Sequence, residues 1–537
     1  MNSQEKSNIN LEDVTLDDQG FLIDENDSEF SDNIIESPFQ STDSDQSSIE
    51  TDLHIISSSE QKAKDGEVWF PDLYLNKGRT NIENIVKFRE GFTKNALRHA
   101  DTPIQAFNLF ITPEMLRLII DSTNNYIDEN SRNAKHISIE SLSKFIGASL
   151  HIGLMKGKNM DVREFWSKKY GQSIIYNSIS MNQFQNISSN LRFDNKINRN
   201  RNCKLAPIRD IWDMFIQNCQ RNYIPSSQMT IDEQLVTFRG RCSFKMYIPS
   251  KPGRYGVKIW ALCDAKNAYL YNAKVYVGKE NGKSEINQGE NVVKYLCMPI
   301  YKSGRNVTTD NFFTSLGLAR FLLDQQITIV GTVRKNKRFL TPEFQSNKGE
   351  ARDTKFLFNK DKVTLVKYNP KKNKSVVLLS TLHRDSAIDS ESNKPEIITY
   401  YNATKGGVDS LDQIVRYYST KRKTKRWPMA IFFNIIDTAA YNAFLLYCER
   451  NPDFKNKYKL KARREFLKIL IETLLPEKFE YQDNLTEEKP VTINSRKWCQ
   501  VCPRQNRKKT STQCNNCQKM ICKDHKILQT FCPSCKE

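Results

Sequence analysis

The chain has 537 residues, with 38% hydrophobic and 27% charged residues and a formal net charge of +19 at pH 7. This length exceeds what one hydrophobic core usually organises, so we expect two to four domains. The most apolar run, residues 430–447, is interrupted by Asn434, Asp437 and Asn442, which indicates a buried helix and argues against a membrane span. The basic charge favours nucleic acid as the partner.

Residues 1–65 are predicted to form a disordered acidic arm. Residues 1–60 hold 16 Asp and Glu against one Lys, a net of −15, so the remaining chain carries +34. Such a composition buries too little apolar surface to offset the entropy of ordering. The arm is either a solubilising segment or a regulatory one that competes with DNA for the basic body.

Residues 66–226 show mostly helical spacing of apolar residues. In the stretch from Ser141 to Met155, Leu142, Phe145 and Ile146 roughly share one face, as in a packed amphipathic helix. Lys and Arg recur between the helices, which keeps DNA contact open for this region although a solvated face is the simpler reading.

Residues 227–337 are predicted to form an α/β core. The pattern gives three strands, a helix, a strand, a helix and a strand, which is the order of an RNase H-like mixed sheet. Residues 338–395 are polar and lysine-rich and are predicted to be an insertion, before a last core helix in 396–419. After the strand-like run that holds Asp232, the predicted elements are 257–263, 268–277, 291–298, 305–309, a helix ending at 323, and 327–333.

Four carboxylates in these segments are candidate metal ligands. Asp232 lies within the first strand, Asp310 follows the fourth strand, and Asp409 and Asp412 are three residues apart and thus on one helical face. Separated carboxylates suit two Mg²⁺ ions, or Mn²⁺ in their place, in strand cleavage and transfer. For Asp412, direct ligation, assistance to a ligand or water, and a structural role near the helix start stay open.

A basic cluster follows the last core helix, in TKRKTKRWP, residues 420–428. It is a candidate DNA contact, since cations hold phosphates and a tryptophan can stack on or wedge a base. The alternative is a nuclear import signal or a solvated cluster with a core tryptophan. A second helical segment, 420–480, and a linker, 481–495, complete this region. The candidate DNA-binding residues are Lys421, Arg422, Lys423, Lys425, Arg426 and Trp427.

The cysteine-rich tail, residues 496–537, carries the most specific spacing. Seven of the 13 cysteines lie in the last 39 residues, and eight ligands in four pairs satisfy two tetrahedral structural Zn²⁺ ions. The first pair is expected to join the third, and the second the fourth, in a RING- or PHD-like cross-brace. An interaction module such as a ubiquitin ligase is a rival interpretation, but His as the sixth ligand departs from the common order of either family and disfavours it. The ligands are Cys499, Cys502, Cys514, Cys517, Cys522, His525, Cys532 and Cys535.

The motifs TIDEQL with FRGR, MYIPSKPGRYGVKIW, TTDNFFTS, TKGGVDSLDQ and KRWPMA, in this order, resemble those of piggyBac-type DNA transposases over about residues 70–537. The resemblance implies a nuclear, homodimeric cut-and-paste enzyme that binds terminal inverted repeats and targets TTAA. It implies that Asp232, Asp310 and Asp409 are catalytic, with Asp412 assisting.

The same resemblance assigns residues 66–226 and 420–480 to one dimerisation and DNA-binding domain. It assigns the zinc tail to terminal-repeat DNA. A domesticated DNA-binding protein that no longer cuts is the alternative function.

Overall fold

The computed structural model describes residues 60–71, 86, 88–130, 134–157, 160–167, 169–279, 285–476, 497–512 and 519–525. The chain divides into two units, Met1–Pro476 and Glu477–Glu537.

The strands in chain order are β1 (Gln61–Lys62), β2 (Val68–Trp69), β3 (Gly91–Phe92), β4 (Tyr223–Ile224), β5 (Gln228–Thr237), β6 (Met246–Tyr247), β7 (Tyr255–Asp264), β8 (Leu270–Val275), β9 (Asn306–Thr309), β10 (Thr328–Thr332), β11 (Thr354–Phe358), β12 (Thr364–Lys371), β13 (Lys374–Ser380), β14 (Lys497–Trp498) and β15 (Lys509–Thr510).

The α-helices are α1 (Lys94–Arg98), α2 (Pro103–Asn108), α3 (Pro113–Asn130), α4 (Ile139–Leu154), α5 (Ser173–Ser178), α6 (Met181–Asn190), α7 (Arg209–Asn222), α8 (Gln288–Cys297), α9 (Leu316–Asp324), α10 (Pro342–Gln345), α11 (Glu396–Thr404), α12 (Gly407–Tyr417), α13 (Trp427–Arg450), α14 (Pro452–Tyr458) and α15 (Ala462–Leu474).

A mixed sheet built around β5 organises the larger unit. Its central order is β8-β7-β5-β9-β10, in which β9 is parallel to both β5 and β10, while β7 is antiparallel to β5 and to β8. Nine of the ten residues of β7 are buried, as expected for a strand covered on both faces. This order is that of an RNase H-like core, so the predicted fold class is confirmed.

The strands of residues 338–395 extend this same sheet. β13 pairs antiparallel with β10, with Val330 opposite Ser380, and β12 and β11 follow outward. The insertion therefore adds three antiparallel strands to the core sheet at its β10 side.

A short hairpin, β1 with β2, covers the outer end of the extended sheet. Trp69 is fully buried, and its Nε1 donates to the Phe339 carbonyl oxygen at 2.8 Å. Phe70 forms a β-bridge with Phe358 of the edge strand β11. The composition predicted that residues 61–65 belong to the disordered arm. They are ordered, because the aromatic pair Trp69 and Phe70 anchors the hairpin. The part of the predicted arm before residue 60 lies outside the described residues.

The helices before and after the core pack on one another, α13 against α2 and α15 against both α4 and α2. Within the described residues, α13 is the one helix long and apolar enough to cross a membrane, but 83% of its most apolar window is buried inside the protein. It is a central core helix of this unit.

Candidate active site and zinc centre

Two of the candidate carboxylates lie side by side on neighbouring parallel strands. Asp232 is in the middle of β5, and Asp310 follows the last residue of β9. Ile231 of β5 pairs with Thr309 of β9. The residues that follow these two, Asp232 and Asp310, therefore lie next to each other with their side chains on the same face of the sheet. The backbone N–H of Phe312 donates to the Asp310 carboxylate at 2.8 Å and fixes its orientation.

The helix pair α11 and α12 brings the other two carboxylates onto this face. The carbonyl oxygen of Thr404, at the end of α11, accepts a hydrogen bond from Thr230 Oγ1 at 2.5 Å. The hydroxyl group of Thr404 forms a hydrogen bond of 2.7 Å with the hydroxyl group of Thr308. A Cβ at Gly407 would come within 2.8 Å of Thr230 Oγ1. Glycine is therefore needed where α12 starts against β5, and the first turn of this helix carries Asp409.

The electrostatics show that these carboxylates share one site. Burial, with smaller contributions from the charges of Asp409 and Asp310, raises the pKa of Asp232 to about 7, although the backbone N–H of Glu233 and the ammonium of Lys251 lower it. Burial also raises the pKa of Asp310. The structure thus brings together Asp232, Asp310 and Asp409, which come from three distant segments.

Asp412 lies one turn further along α12 and is buried. Its Oδ2 is 2.6 Å from a guanidinium nitrogen of Arg416. Burial raises the pKa of Asp412, while Arg416 and Lys251 oppose that rise. The side chain borders the same cleft as Asp409, but it already has a cationic partner.

One residue of the site was not singled out from the sequence. Lys251, in the loop between β6 and β7, places its Nζ 2.8 Å from Asp409 Oδ1. With Ser250, Pro252 and residues of α12, it lines a cleft of about 650 Å³. Its position inside MYIPSKPGRYGVKIW was the only sequence signal, since one lysine among 81 Lys and Arg does not stand out.

The donor set fits divalent cations. Carboxylate oxygens are the ligands that Mg²⁺ and Mn²⁺ prefer. Burial first, and the neighbouring charges of Asp409 and Asp310 second, raise the pKa of Asp232, and a bound cation would favour its charged form against both effects. Lys251 stands in this site as a cation paired with Asp409.

Much of the predicted DNA-binding cluster points into the protein. Arg422 is buried and donates to the Gly157 carbonyl at 2.6 Å. Arg426 donates to the carbonyls of Leu191 and Ser188 at 2.6 and 2.7 Å. Burial lowers the pKa of both guanidinium groups to about 10. These two arginines therefore join the segment just before α13 to the helical region that precedes the core.

The other four members of the cluster form two groups, one in contact with the rest of the protein and one exposed. Lys421 donates to the backbone and side-chain oxygens of Thr237. Trp427 packs edge-on against Phe244, with ring centroids 5.0 Å apart. Lys423 and Lys425 are exposed, so these two are the members of the cluster best placed to contact DNA.

The smaller unit gathers the first and third ligand pairs of the tail. The ligand atoms of Cys499, Cys502, Cys522 and His525 all lie within 4.8 Å of one another. Cys502 Sγ is 3.6 Å from Cys522 Sγ, and His525 Nδ1 is 3.2 Å from Cys522 Sγ and 3.6 Å from Cys502 Sγ. Tetrahedral Zn²⁺ with ordinary bond lengths requires ligand separations of about 3.5 to 3.8 Å.

This Cys₃His cluster therefore has the dimensions to hold zinc. The predicted joining of the first pair with the third is the arrangement observed. Burial opposes ionisation of the Cys499 thiol, yet backbone N–H groups of Val501, Cys522 and Cys502 lower its pKa to about 6, which suits a thiolate ligand. The second predicted site, Cys514, Cys517, Cys532 and Cys535, lies outside the described residues.

The chain is similar to known transposases in sequence and in structure. The family model described as Transposase IS4 matches residues 102–444, more than half of the chain. PiggyBac transposable element-derived protein 3 of Homo sapiens is 25% identical over 399 residues, which is 69% of this chain and 65% of that protein, so the match spans just under two thirds of that relative's length. PiggyBac transposable element-derived protein 2 of Homo sapiens is 21% identical over 416 residues, 70% of this chain and 69% of that protein.

Among solved structures, a piggyBac transposase in a cryo-EM synaptic complex with hairpin DNA matches with a TM-score of 0.70 and 34% identity. The match covers 83% of this chain and 100% of that one. The carboxylate cluster, the RNase H-like sheet and these similarities agree, and the chain therefore belongs to the Transposase IS4 family, as a transposase of the piggyBac type.

Proposed function

We propose that this transposase is a metal-dependent cut-and-paste enzyme. In this proposal it acts in the nucleus as a homodimer, binds terminal inverted repeats, nicks the DNA at each end and integrates at TTAA. The observation that carries it is the meeting of Asp232, Asp310 and Asp409 on one face of the sheet, although Asp409 lies far along the chain from the other two. A structural role alone does not explain this, because clustered carboxylates raise one another's free energy.

Asp232, Asp310 and Asp409 would hold two Mg²⁺ ions, which Mn²⁺ can replace. When bound, the ions activate the attacking water or 3′-hydroxyl and stabilise the leaving oxygen of an in-line displacement. The protein's own task is to fix the ligands. The strands β5 and β9 set two carboxylates in register, and the Thr404 contacts fix the start of α12 and hence Asp409.

Asp412 is assigned the assisting role. Its carboxylate is engaged by Arg416 at 2.6 Å, and both side chains border the cleft with Asp409. This pair would orient the first turns of α12 and set the charge around Asp409. Lys423 and Lys425 would contact the phosphate backbone, and the tail, with two Zn²⁺ ions, would contact the terminal repeats.

An excision assay tests the proposal most directly. A plasmid that bears the element's flanking repeats is incubated with the protein and Mg²⁺, and nicked ends and resealed donor are scored. We expect excision by the wild type and by Asp453→Asn, an exposed carboxylate of α14. We expect none from Asp232→Asn, Asp310→Asn or Asp409→Asn, each with repeat binding largely kept.

The same assay separates the alternative function. A wild type that binds the repeats tightly yet never nicks them in Mg²⁺ or Mn²⁺ would identify a domesticated DNA-binding protein. Nicking by Asp232→Asn or Asp310→Asn at the wild-type rate would refute the assignment of the site.

A further inference from the structure

Among the described residues, Lys251 is the one lysine that forms an ion pair with a member of the carboxylate cluster. Its Nζ lies 2.8 Å from Asp409 Oδ1, and its side chain is only 15% exposed, whereas that of Asp409 is 62% exposed. A lysine normally keeps its ammonium group in bulk water. Here the group is drawn into the cleft.

The loop that carries Lys251 is closed on itself and fixed to β5. The N–H of Ile248 donates to the Arg254 carbonyl at 2.7 Å, and the N–H of Arg254 donates to the Lys251 carbonyl at 2.9 Å. A Cβ at Gly253 would lie 1.8 Å from Thr237 Cγ2, so the loop rests directly on the strand that carries Asp232. The side chain of Lys251 thus starts from a fixed position in the loop, and its Nζ reaches Asp409 from there.

The charge of the cluster explains why the ammonium is held there. The four carboxylates outnumber Arg416 and Lys251, the two cations that form ion pairs with Asp412 and Asp409. Burial disfavours the Lys251 ammonium, but the hydrogen bond and charge of Asp409, followed by the charges of Asp232 and Asp412, raise its pKa. Lys251 therefore stays charged at neutral pH and relieves part of the repulsion among the carboxylates.

We propose that Lys251 is an internal counter-ion that holds Asp409 in the metal-free protein, gives it up when divalent cations bind, and then binds a phosphate of the DNA strand in the cleft. The inference rests on the proposed function for its DNA step. It goes beyond that function by assigning Lys251 a positioning role that changes with metal binding.

Two physical arguments support this exchange. A divalent cation bound to Asp409 would neutralise the charge that attracts the Lys251 ammonium and would itself repel that ammonium, so the ion pair weakens as metal binds. The released ammonium remains beside a cleft of about 650 Å³, and its flexible stem and three donors suit a phosphate. Coupling of this kind is reciprocal, so DNA bound to Lys251 would in turn favour metal binding.

The metal step is tested without DNA by titrating Mn²⁺ into the full-length protein and counting free Mn²⁺ by electron paramagnetic resonance. We expect Lys251→Met to bind Mn²⁺ about two- to fivefold more tightly than the wild type, because a partly exposed ion pair contributes about this factor. Lys251→Arg should stay near the wild type, and so should Lys374→Met, an exposed lysine on the β12–β13 hairpin. Unchanged or weaker Mn²⁺ binding by a folded Lys251→Met would overturn the inference.

The DNA step is tested with a pre-nicked duplex that carries the terminal repeat, in Ca²⁺ and in EDTA. We expect Lys251→Met to lose about threefold in DNA affinity in Ca²⁺ and little in EDTA, where Asp409 already holds the ammonium. A loss that is equal in both, or larger in EDTA, would refute the exchange. If the wild type bound no metal at all, the proposed function itself would fail, which this design distinguishes from an error about Lys251 alone.

Discussion

Replacing Asp232 by Asn should stabilise the metal-free protein while it abolishes cutting. The carboxylate is largely buried beside two others, and its pKa is raised to about 7 by burial and by Asp409 and Asp310. The amide oxygen of Asn can still accept the 2.7 Å hydrogen bond that Glu233 N–H donates to Asp232. The substitution therefore removes a disfavoured charge and keeps the shape.

The magnitude follows from the pKa. The difference between about 7 and the ordinary value of 3.8 corresponds to about 4 kcal/mol at 1.36 kcal/mol per pH unit. Water in the cleft screens part of this cost, and we expect about 2 kcal/mol at pH 8. The raised pKa means that the proton stabilises the fold fully below pH 3.8, and that this stabilisation is lost as the pH rises through 7. The free energy of unfolding of the wild type should therefore drop below that of Asp232→Asn as the pH rises from 4 to 7. Above pH 7 the difference between the two proteins should stay constant.

Thermal unfolding in EDTA at several pH values measures this gap. For a unit of this size, about 2 kcal/mol corresponds to a melting temperature about 2 to 3 °C higher for Asp232→Asn at pH 8. Adding Mn²⁺ should raise the melting temperature of the wild type and reverse the order, since a ligand that binds only the folded state stabilises it. Equal melting temperatures at pH 8, or a gap that does not change with pH, would refute the reasoning. Asp453→Asn is the control for loss of an exposed carboxylate.

Three further outcomes are expected. Asp412→Asn should keep slow nicking that a higher Mn²⁺ concentration restores in part, because its assisting role leaves the metal ligands in place; a rate of zero at all Mn²⁺ concentrations would make it a direct ligand. Arg422→Ala should lower the melting temperature, because it leaves a buried backbone carbonyl without a donor. Lys423→Ala and Lys425→Ala should leave the stability unchanged, and each should reduce the slope of log Kd for DNA against log salt concentration by about 1. Cys502→Ser should remove one zinc per chain, counted by native mass spectrometry, and leave the melting of the larger unit unchanged.

The sequence predicted the core closely because its strands and helices are short, strongly patterned and separated by turn residues. The predicted strand 257–263 is β7, Tyr255–Asp264, and the predicted helix 291–298 is α8, Gln288–Cys297. The ends differ by one to three residues, since alternation in hydrophobicity marks the middle of an element and fades at its ends. The same periodicity placed Asp232 on the central strand.

The contacts of long cationic side chains could not be predicted. Arg422 and Arg426 belong to a run of five cations in six residues, which is typical of a phosphate-binding surface. Their partners are backbone carbonyls of Gly157, Leu191 and Ser188, more than 230 residues away. Nothing in a local pattern shows that a distant helix end offers free carbonyl oxygens, and Lys251 was missed for the same reason.

The long insertion does not disturb the site because of the path by which the chain returns. β13 runs antiparallel to β10 and ends at Ser380, opposite Val330, so the chain comes back beside the strand it left. Helix α11 then passes over β13, β10 and β5. Thr404 forms hydrogen bonds with Thr230 of β5 and Thr308 of β9, each two residues before a carboxylate of the site. Closing a longer loop costs little extra entropy. Once the hydrogen bonds of Thr404 have formed, the length of the insertion therefore has little effect on the position of Asp409. Thr404 should therefore matter more for the placing of Asp409 than any residue within the inserted strands.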